Sequence, residues 1–169
     1  MHGLWDEWEN TINPETFLKE AEGLCKEDDY NSLGRIYHIY MQFESDHDNP
    51  LKALDLCKQS LRYYKKSGNM DKVAHLTRHI ADLERKLGKD ADSEQNYRKA
   101  ISIYWEKSNT TKGDLANALR GFGLILEKLR KNEEAISVWK ETKDLYMACD
   151  LQDGVDEANR KLESLKEDI

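Results

Sequence analysis

The sequence predicts an all-α protein, specifically a right-handed α-solenoid of stacked antiparallel helix pairs with a C-terminal capping helix. A length of 169 residues with 38% hydrophobic residues suits one domain of ordinary size. The 9 Gly and 2 Pro are too few for the many turns of an all-β fold. Apolar residues also recur at steps of three and four, and this pattern itself repeats along the chain.

Repetition is the strongest of these observations. Ala74, Ala116 and Ala158 recur at a constant interval, and each begins a similar apolar pattern. Further matches at this offset are Ile80 with Phe122, Ala81 with Gly123, Leu87 with Leu129, Tyr97 with Trp139, Ile103 with Leu145 and Tyr104 with Tyr146. So many matches at one offset predict duplicated units of about 42 residues. A less regular copy starts near Asn31, and its inter-helix loop, Glu44 to Asn49, is expected to be longer.

Capping residues and glycines set the expected boundaries of the helices. Asn49-Pro50 supplies an N-cap followed by Pro at the first helical position. Gly68, Gly113 and Gly154 predict turns between units, since glycine adopts the backbone angles that turns need. We therefore expect helices at 15–28, 31–45, 50–67, 71–88, 91–108, 114–131, 133–149 and 154–167.

The whole chain, 1–169, is expected to form one domain. One helix pair cannot bury its own apolar face, whereas stacked pairs can. We assign an acidic N-terminal segment with a capping helix to 1–30, three repeats to 31–70, 71–112 and 113–153, and a C-terminal capping helix to 154–169.

Charge is unevenly distributed along the chain. The net charge of −7 argues against nucleic-acid binding by general attraction. Residues 1–30 carry −7 and residues 150–169 carry −4, which leaves +4 for the repeat body. This division favours an acidic peptide or acidic partner surface. A role of the acidic ends in solubility alone explains the same division.

The compartment is expected to be cytoplasmic. The N-terminus has neither a basic region nor an apolar run, and no stretch is long enough for a membrane span, so no membrane partner is predicted. Cys25, Cys57 and Cys149 are widely spaced without a CxxC pair, which indicates reduced thiols rather than disulfides.

The repeated positions resemble the tetratricopeptide repeat (TPR) family over about residues 30 to 169. The third unit carries Leu119, Phe122-Gly123, Leu126, Ala135, Trp139 and Thr142 at the signature positions; the second carries Ile80-Ala81, Ser93, Tyr97 and Ala100; the first keeps Ala53 and Ser60. The usual boundary Pro is absent and the period is longer than the common 34. In this respect the chain is similar to the long-period repeats of kinesin light chains and bacterial peptide-sensing regulators.

The resemblance implies a non-enzymatic module whose concave groove binds a peptide or a partner helix. The groove positions transferred from the family are Arg35, His75, Arg78, His79, Asp82, Arg85, Lys86, Asn117, Arg120, Leu124 and Lys128. Arg78 and Arg120 occupy one repeat position, with Arg35 as a third rung, and guanidinium groups suit carboxylates. Tyr37 or Tyr40 would add apolar contact. The carboxylate clamp of some members is not reproduced, because His79 and Gly121 stand at clamp positions.

Other sites and functions have less support in the residues. His75 and His79 are an i, i+4 pair, but the intervening residues include no Glu and Arg78 would repel a cation, so no metal site is predicted. No nucleophile-plus-base arrangement or phosphate-binding loop supports an enzyme or a cofactor. Two further hypotheses remain open: a sensor module for a small ligand or signalling peptide within a larger system, and a self-associating scaffold in which Trp5 and Trp8 dock onto a second copy.

Overall fold

A computed structural model describes residues 14–26, 28–106 and 111–167, and these residues form eight helices and no strand. The helices are α1 (Pro14–Leu24), α2 (Tyr30–Asp46), α3 (Pro50–Lys66), α4 (Met70–Lys86), α5 (Asp90–Glu106), α6 (Lys112–Lys128), α7 (Asn132–Met147) and α8 (Gln152–Glu167). The all-α prediction is confirmed. Trp5 and Trp8 lie outside the described residues. None of the described helices combines the length and apolarity that crossing a bilayer requires.

The positions at which the helices start show that the repeat is shorter than predicted. From α2 onward the helices start at Tyr30, Pro50, Met70 and Asp90, and then at Lys112, Asn132 and Gln152. The number of residues from one helix start to the next is constant except between Asp90 and Lys112, where it is slightly larger. A repeat of two helices is therefore about 40 residues long and is lengthened once, so the prediction of a uniformly longer period is wrong.

Two consequences of this spacing correct further details. In the C-terminal helix α8, Ala158 matches Ala118 of α6 rather than Ala116, and both Ala158 and Ala118 are fully buried. The loop after α2 is not longer than the others, since α2 ends at Asp46 and α3 begins at Pro50. The first repeat is thus as regular in its backbone as the two that follow.

The short turns between helices share one backbone motif. Asp48, Gly68, Gly88, Arg130 and Asp150 have φ of 58°, 72°, 73°, 58° and 56° respectively. The N–H after each of them bonds to the carbonyl that lies five positions earlier, at 2.8–3.1 Å. This is the Schellman arrangement, which pairs carbonyl groups left over at the end of a helix.

Only one of the three glycines predicted to lie in turns does so. Gly68 has positive φ between α3 and α4. Gly113 and Gly154 lie inside α6 and α8, so the prediction of turns there is wrong. At Gly154 a Cβ atom would come within 2.6 Å of the Tyr146 ring. Glycine is needed at this position for close packing rather than for a turn.

Four positions in the second helix of each pair are buried in all three repeats. They are Ala53, Ser93 and Ala135; Cys57, Tyr97 and Trp139; Ser60, Ala100 and Thr142; and Tyr64, Tyr104 and Tyr146. The serines in this set are hydrogen-bonded, since Ser60 Oγ donates to the Gly34 carbonyl at 2.6 Å and Ser93 Oγ donates to the Ala81 carbonyl at 2.8 Å. The first repeat thus shares its core positions with the other two.

The chain divides into two compact units, the first ending at Leu76 and the second beginning at Thr77, both of which are residues of α4. In the first unit α2 packs against α1 and α3. In the second unit α6 packs against α5 and α7, and α8 packs against α7. The assignment of one domain to 1–169 stays a prediction.

Candidate functional site: the α4/α6 set

Most of the predicted groove positions lie in the second unit, and eight of them make up what we call the α4/α6 set. They are Arg78, His79, Asp82 and Arg85 on α4, and Asn117, Arg120, Leu124 and Lys128 on α6. Steps of three and four place the members on one face of each helix. Of the other three positions, Lys86 ends α4 in the second unit, whereas Arg35 and His75 lie in the first unit.

Arg78 is held by neighbours on its own helix. Its Nη1 donates to Asp82 Oδ2 at 2.8 Å, its Nη2 lies 3.1 Å from His79 Nε2, and its side chain is 15% exposed. The other carboxylate oxygen of Asp82 accepts from the Tyr97 hydroxyl at 2.5 Å. Burial, with the adjacent Asp82 charge, raises the pKa of Tyr97, so this hydroxyl keeps its proton and remains a donor. The Arg78 charge is therefore largely neutralised inside the protein.

Arg120 makes a two-pronged ion pair with α8. Its Nε and Nη2 donate to the two carboxylate oxygens of Glu157 at 2.5 and 2.8 Å. This hydrogen bonding raises the pKa of Arg120 further, and the Asp82 charge adds to the effect. The side chain is 41% exposed, and Nη1 is not used in the pair. The guanidinium is thus fixed in position while its Nη1 donors remain available.

The remaining α6 residues make polar contacts or are partly exposed. Asn117 accepts a hydrogen bond from the Tyr146 hydroxyl at 2.9 Å. Lys128 pairs with Asp90 at 2.6 Å, although its side chain is half exposed. Leu124 is half-buried and supplies an apolar group between these polar side chains.

Arg85 differs from the other two arginines of the set. Its Nε donates to the Tyr97 hydroxyl at 3.4 Å, which is a weak hydrogen bond. Within the part of the chain that the structure describes, no carboxylate lies within ion-pairing distance of Arg85. Arg85 is therefore the arginine of the α4/α6 set whose charge is least compensated.

Sequence reasoning missed the contribution of α8. Glu157 binds Arg120, and Lys161, one turn later, donates to Glu127 Oε2 at 2.8 Å. Glu127 also accepts from the buried indole Nε1 of Trp139 at 2.7 Å. The i, i+4 pair of an acid and a base on the last helix is the available signal, but the sequence pattern predicts only a cap there.

The predicted ladder of three arginines does not extend into the first unit. Tyr30 and Met70 are equivalent helix starts, so the residue equivalent to Arg78 is His38, and Arg35 as third rung is wrong. Arg35, which is exposed, instead matches His75 and stays a predicted groove residue. The His38 and His75 rings meet edge-on at 5.4 Å between centroids.

Tyr37 and Tyr40 are core residues of the first unit, only 7% and 8% exposed. The Tyr37 hydroxyl donates to Glu22 of α1. Burial and this carboxylate raise the pKa of Tyr37. Both rings thus have little surface left for the apolar contact expected of them.

Comparison with known proteins identifies the fold. No protein-family model and no curated protein matches the chain. Among solved structures, BtubC (BKLC) from P. vanneervenii aligns with a TM-score of 0.65 at 16% identity, over 98% of this chain and 74% of that one. A putative kinesin light chain from Podosopora anserina with nearly identical TPR-like repeats aligns with a TM-score of 0.62 at 9% identity, over 90% and 83%. The chain therefore has the fold of a TPR-like α-solenoid, as predicted.

Proposed function

We propose that the protein is a non-enzymatic interaction module in which the α4/α6 set binds an acidic peptide or a partner helix. The observation that carries the proposal is the arrangement of three cations with unused donors on this set. Arg85 has no carboxylate partner in the described part of the chain, Arg120 keeps Nη1 unused, and Lys128 is half exposed. TPR-like folds are generally protein-interaction scaffolds, and this general property supports the class of function.

The internal ion pairs favour a fixed binding surface over a flexible one. A guanidinium already held on two N–H groups by Glu157 loses little further side-chain entropy when a ligand carboxylate binds its remaining donors. Pre-organised donors of this kind raise affinity mainly by lowering the ordering cost of binding. The same pairing means that Arg78, whose charge is neutralised by Asp82, contributes less than the sequence suggests.

Leu124 adds an apolar contact between the charged groups. It lies between Arg120 and Lys128 on the same face of α6, at steps of four along the helix. A ligand side chain that reaches Leu124 would bring neighbouring acidic groups towards both cations. We therefore expect the bound segment to contain an apolar residue with acidic residues near it.

Selection from a random peptide library tests the proposal. The chain is immobilised and used to enrich phage-displayed dodecapeptides, in parallel with an Arg85→Glu/Arg120→Gln variant. The wild type should enrich peptides with Asp or Glu beside an apolar residue, and the variant should bind these peptides about tenfold more weakly, equivalent to about 1.4 kcal/mol.

A matched control keeps the same change in charge but moves it elsewhere in the second unit. Lys99 and Lys140 are exposed on α5 and α7, the second helices of their pairs. Lys99→Glu/Lys140→Gln should leave the enrichment unchanged. Enriched peptides without acidic residues, or equal losses in the two variants, would show that the α4/α6 set is not an acid-binding surface.

A further inference from the structure

The first unit contains a cleft that the proposed function does not use. Its volume is about 380 Å³, which lies in the range of small-molecule binding sites. Three helices of this unit, α1, α2 and α3, line the cleft. On α1 and on α3 the lining residues recur one turn apart, so one face of each helix borders it. We call it the α1/α3 cleft, and its lining includes Leu18, Glu22, Tyr40, Asp55, Leu56 and Gln59.

Two carboxylates of the α1/α3 cleft have acceptor atoms to spare. The side chain of Asp55 is exposed, and no residue that the structure describes forms a hydrogen bond or an ion pair with it. Glu22 accepts from the Tyr37 hydroxyl through Oε1, which leaves Oε2 out of that bond. The cleft therefore holds two negative charges without a positively charged partner in the described part of the chain.

The positive charges beside the cleft do not cancel these carboxylates. Lys52 lines the cleft, but its Nζ pairs with Oε1 of the buried Glu44 at 2.8 Å. The other lining cation, Lys19, is exposed to solvent on α1. With Glu44 included, three acidic and two basic side chains give a net charge of −1. The charge of the cleft thus favours a cationic ligand.

The floor of the cleft is also suited to a cation with an apolar part. The Nζ of Lys52 lies 5.0 Å from the centroid of the Tyr40 ring, so this ring already stabilises one ammonium group. The hydroxyl of Tyr40 is buried and has no hydrogen-bond partner among the described residues. A ligand group that bonds to an unpaired buried hydroxyl gains free energy. Leu18, which is half-buried, and the buried Leu56 supply apolar contact.

We propose that the α1/α3 cleft binds a small organic cation, in which an ammonium group is carried on an apolar body. The ammonium group pairs with Asp55 and Glu22 through charge-assisted hydrogen bonds, while the body contacts Leu18 and Leu56. The inference does not depend on the proposed function, since it uses the other unit and the opposite ligand charge. It gives the hypothesis of a small-ligand sensor a defined place in the chain.

Titration of the full chain with tryptamine tests the site, and tryptophol is the matched probe. Both molecules carry an indole body, but the ammonium group of tryptamine is a hydroxyl group in tryptophol. The methyl signals of Leu18 and Leu56 in ¹H–¹³C NMR spectra report on the cleft itself. Both signals should shift with tryptamine, which should bind at least about fivefold more tightly than tryptophol, as one exposed ion pair allows. Added salt should weaken the binding of tryptamine alone.

Substitutions separate the charge of the cleft from its shape. Asp55→Asn and Glu22→Gln keep the size of each side chain, and each should weaken tryptamine binding by about threefold to fivefold without affecting tryptophol. Asp46→Asn is the matched control, because Asp46 is exposed at the end of α2 and does not line the cleft. Gln59→Trp fills the cleft from an exposed position without a change of charge, so it should weaken the binding of both probes.

The outcomes distinguish a cation site from general binding. Shifts of both methyl signals with tryptamine, and losses of affinity confined to the cleft variants, support the proposal. Circular dichroism checks that each variant is folded. Equal affinities for tryptamine and tryptophol would overturn the preference for a cation. Absence of the methyl shifts, or an equal loss in Asp46→Asn, would overturn the site. Peptide selection on the α4/α6 set reports separately on the proposed function, because that set shares no residue with this cleft.

Discussion

Replacing Gly123 by Ala should destabilise the protein although alanine is the better helix former. Gly123 lies in the interior of α6, and an added Cβ would come within 2.8 Å of Trp139 Cε2 and 2.9 Å of its Nε1. The Trp139 side chain is fully buried, so the ring cannot move aside without disturbing its surroundings. Its Nε1 also donates to Glu127 at 2.7 Å, and a shift of the ring lengthens this bond.

The net effect follows from three opposing contributions. Overpacking of a core costs about 1–3 kcal/mol. Weakening a hydrogen bond to a carboxylate costs about another 1 kcal/mol, a part of the full value of about 1.5–3 kcal/mol. Exchanging Gly for Ala inside a helix gains about 1 kcal/mol. We therefore expect Gly123→Ala to lower the free energy of unfolding by about 2 kcal/mol, a large part of the stability of an ordinary domain.

Urea denaturation followed by circular dichroism measures this change. Gly113→Ala in the same helix is the matched control, since a Cβ there meets nothing within 4 Å. The control should leave the protein as stable as the wild type or stabilise it by up to about 1 kcal/mol. If Gly123→Ala is as stable as Gly113→Ala, the close packing of Trp139 on α6 does not limit that position and the reasoning is refuted.

Three further experiments test polar contacts. The Lys131 hydrogen bond, helped by Arg98, holds the pKa of Glu94 below its usual value. The stabilising contribution of the Glu94 carboxylate is therefore fully present above about pH 4.3 and is lost as the pH falls through the lowered pKa. Glu94→Gln should flatten the acid limb of the curve of unfolding free energy against pH. A double-mutant cycle of Arg120→Ala and Glu157→Ala, measured by urea unfolding, should give a coupling of about 0.5–1 kcal/mol, because the pair is partly exposed. Ser60→Ala should cost about 1 kcal/mol in thermal unfolding, since its buried hydroxyl donates to a carbonyl of α2.

The helices were predictable from sequence, but the length of the repeat was not. The clearest sequence matches join the second and third repeats, and these are the two repeats separated by the extra residues between Glu106 and Lys112. The first repeat is harder to recognise in the sequence because an equivalent core position holds a side chain of different size. Cys57 occupies the position that Tyr97 and Trp139 occupy in the other two repeats. A core position can keep its burial while changing its size, so residue identity alone gave the wrong period.

The candidate site was predicted as a set of positions but not as a set of contacts. Periodicity placed Arg78 and Arg120 on equivalent helix faces. The partner of Arg120, Glu157, is distant in sequence and on another helix, and no local pattern indicates such a pairing.

The uniform turns constrain how the length of this chain can change. A helix and the short turn that follows it form a segment of nearly constant length, and each such turn reverses the direction of the chain. Inserting or deleting a single segment would invert every helix that follows and move its apolar face to the wrong side. Adding or removing two segments together, which is one whole repeat, restores both direction and facing. Copy-number variation, whether by gene duplication or in the laboratory, should therefore proceed in pairs of helices.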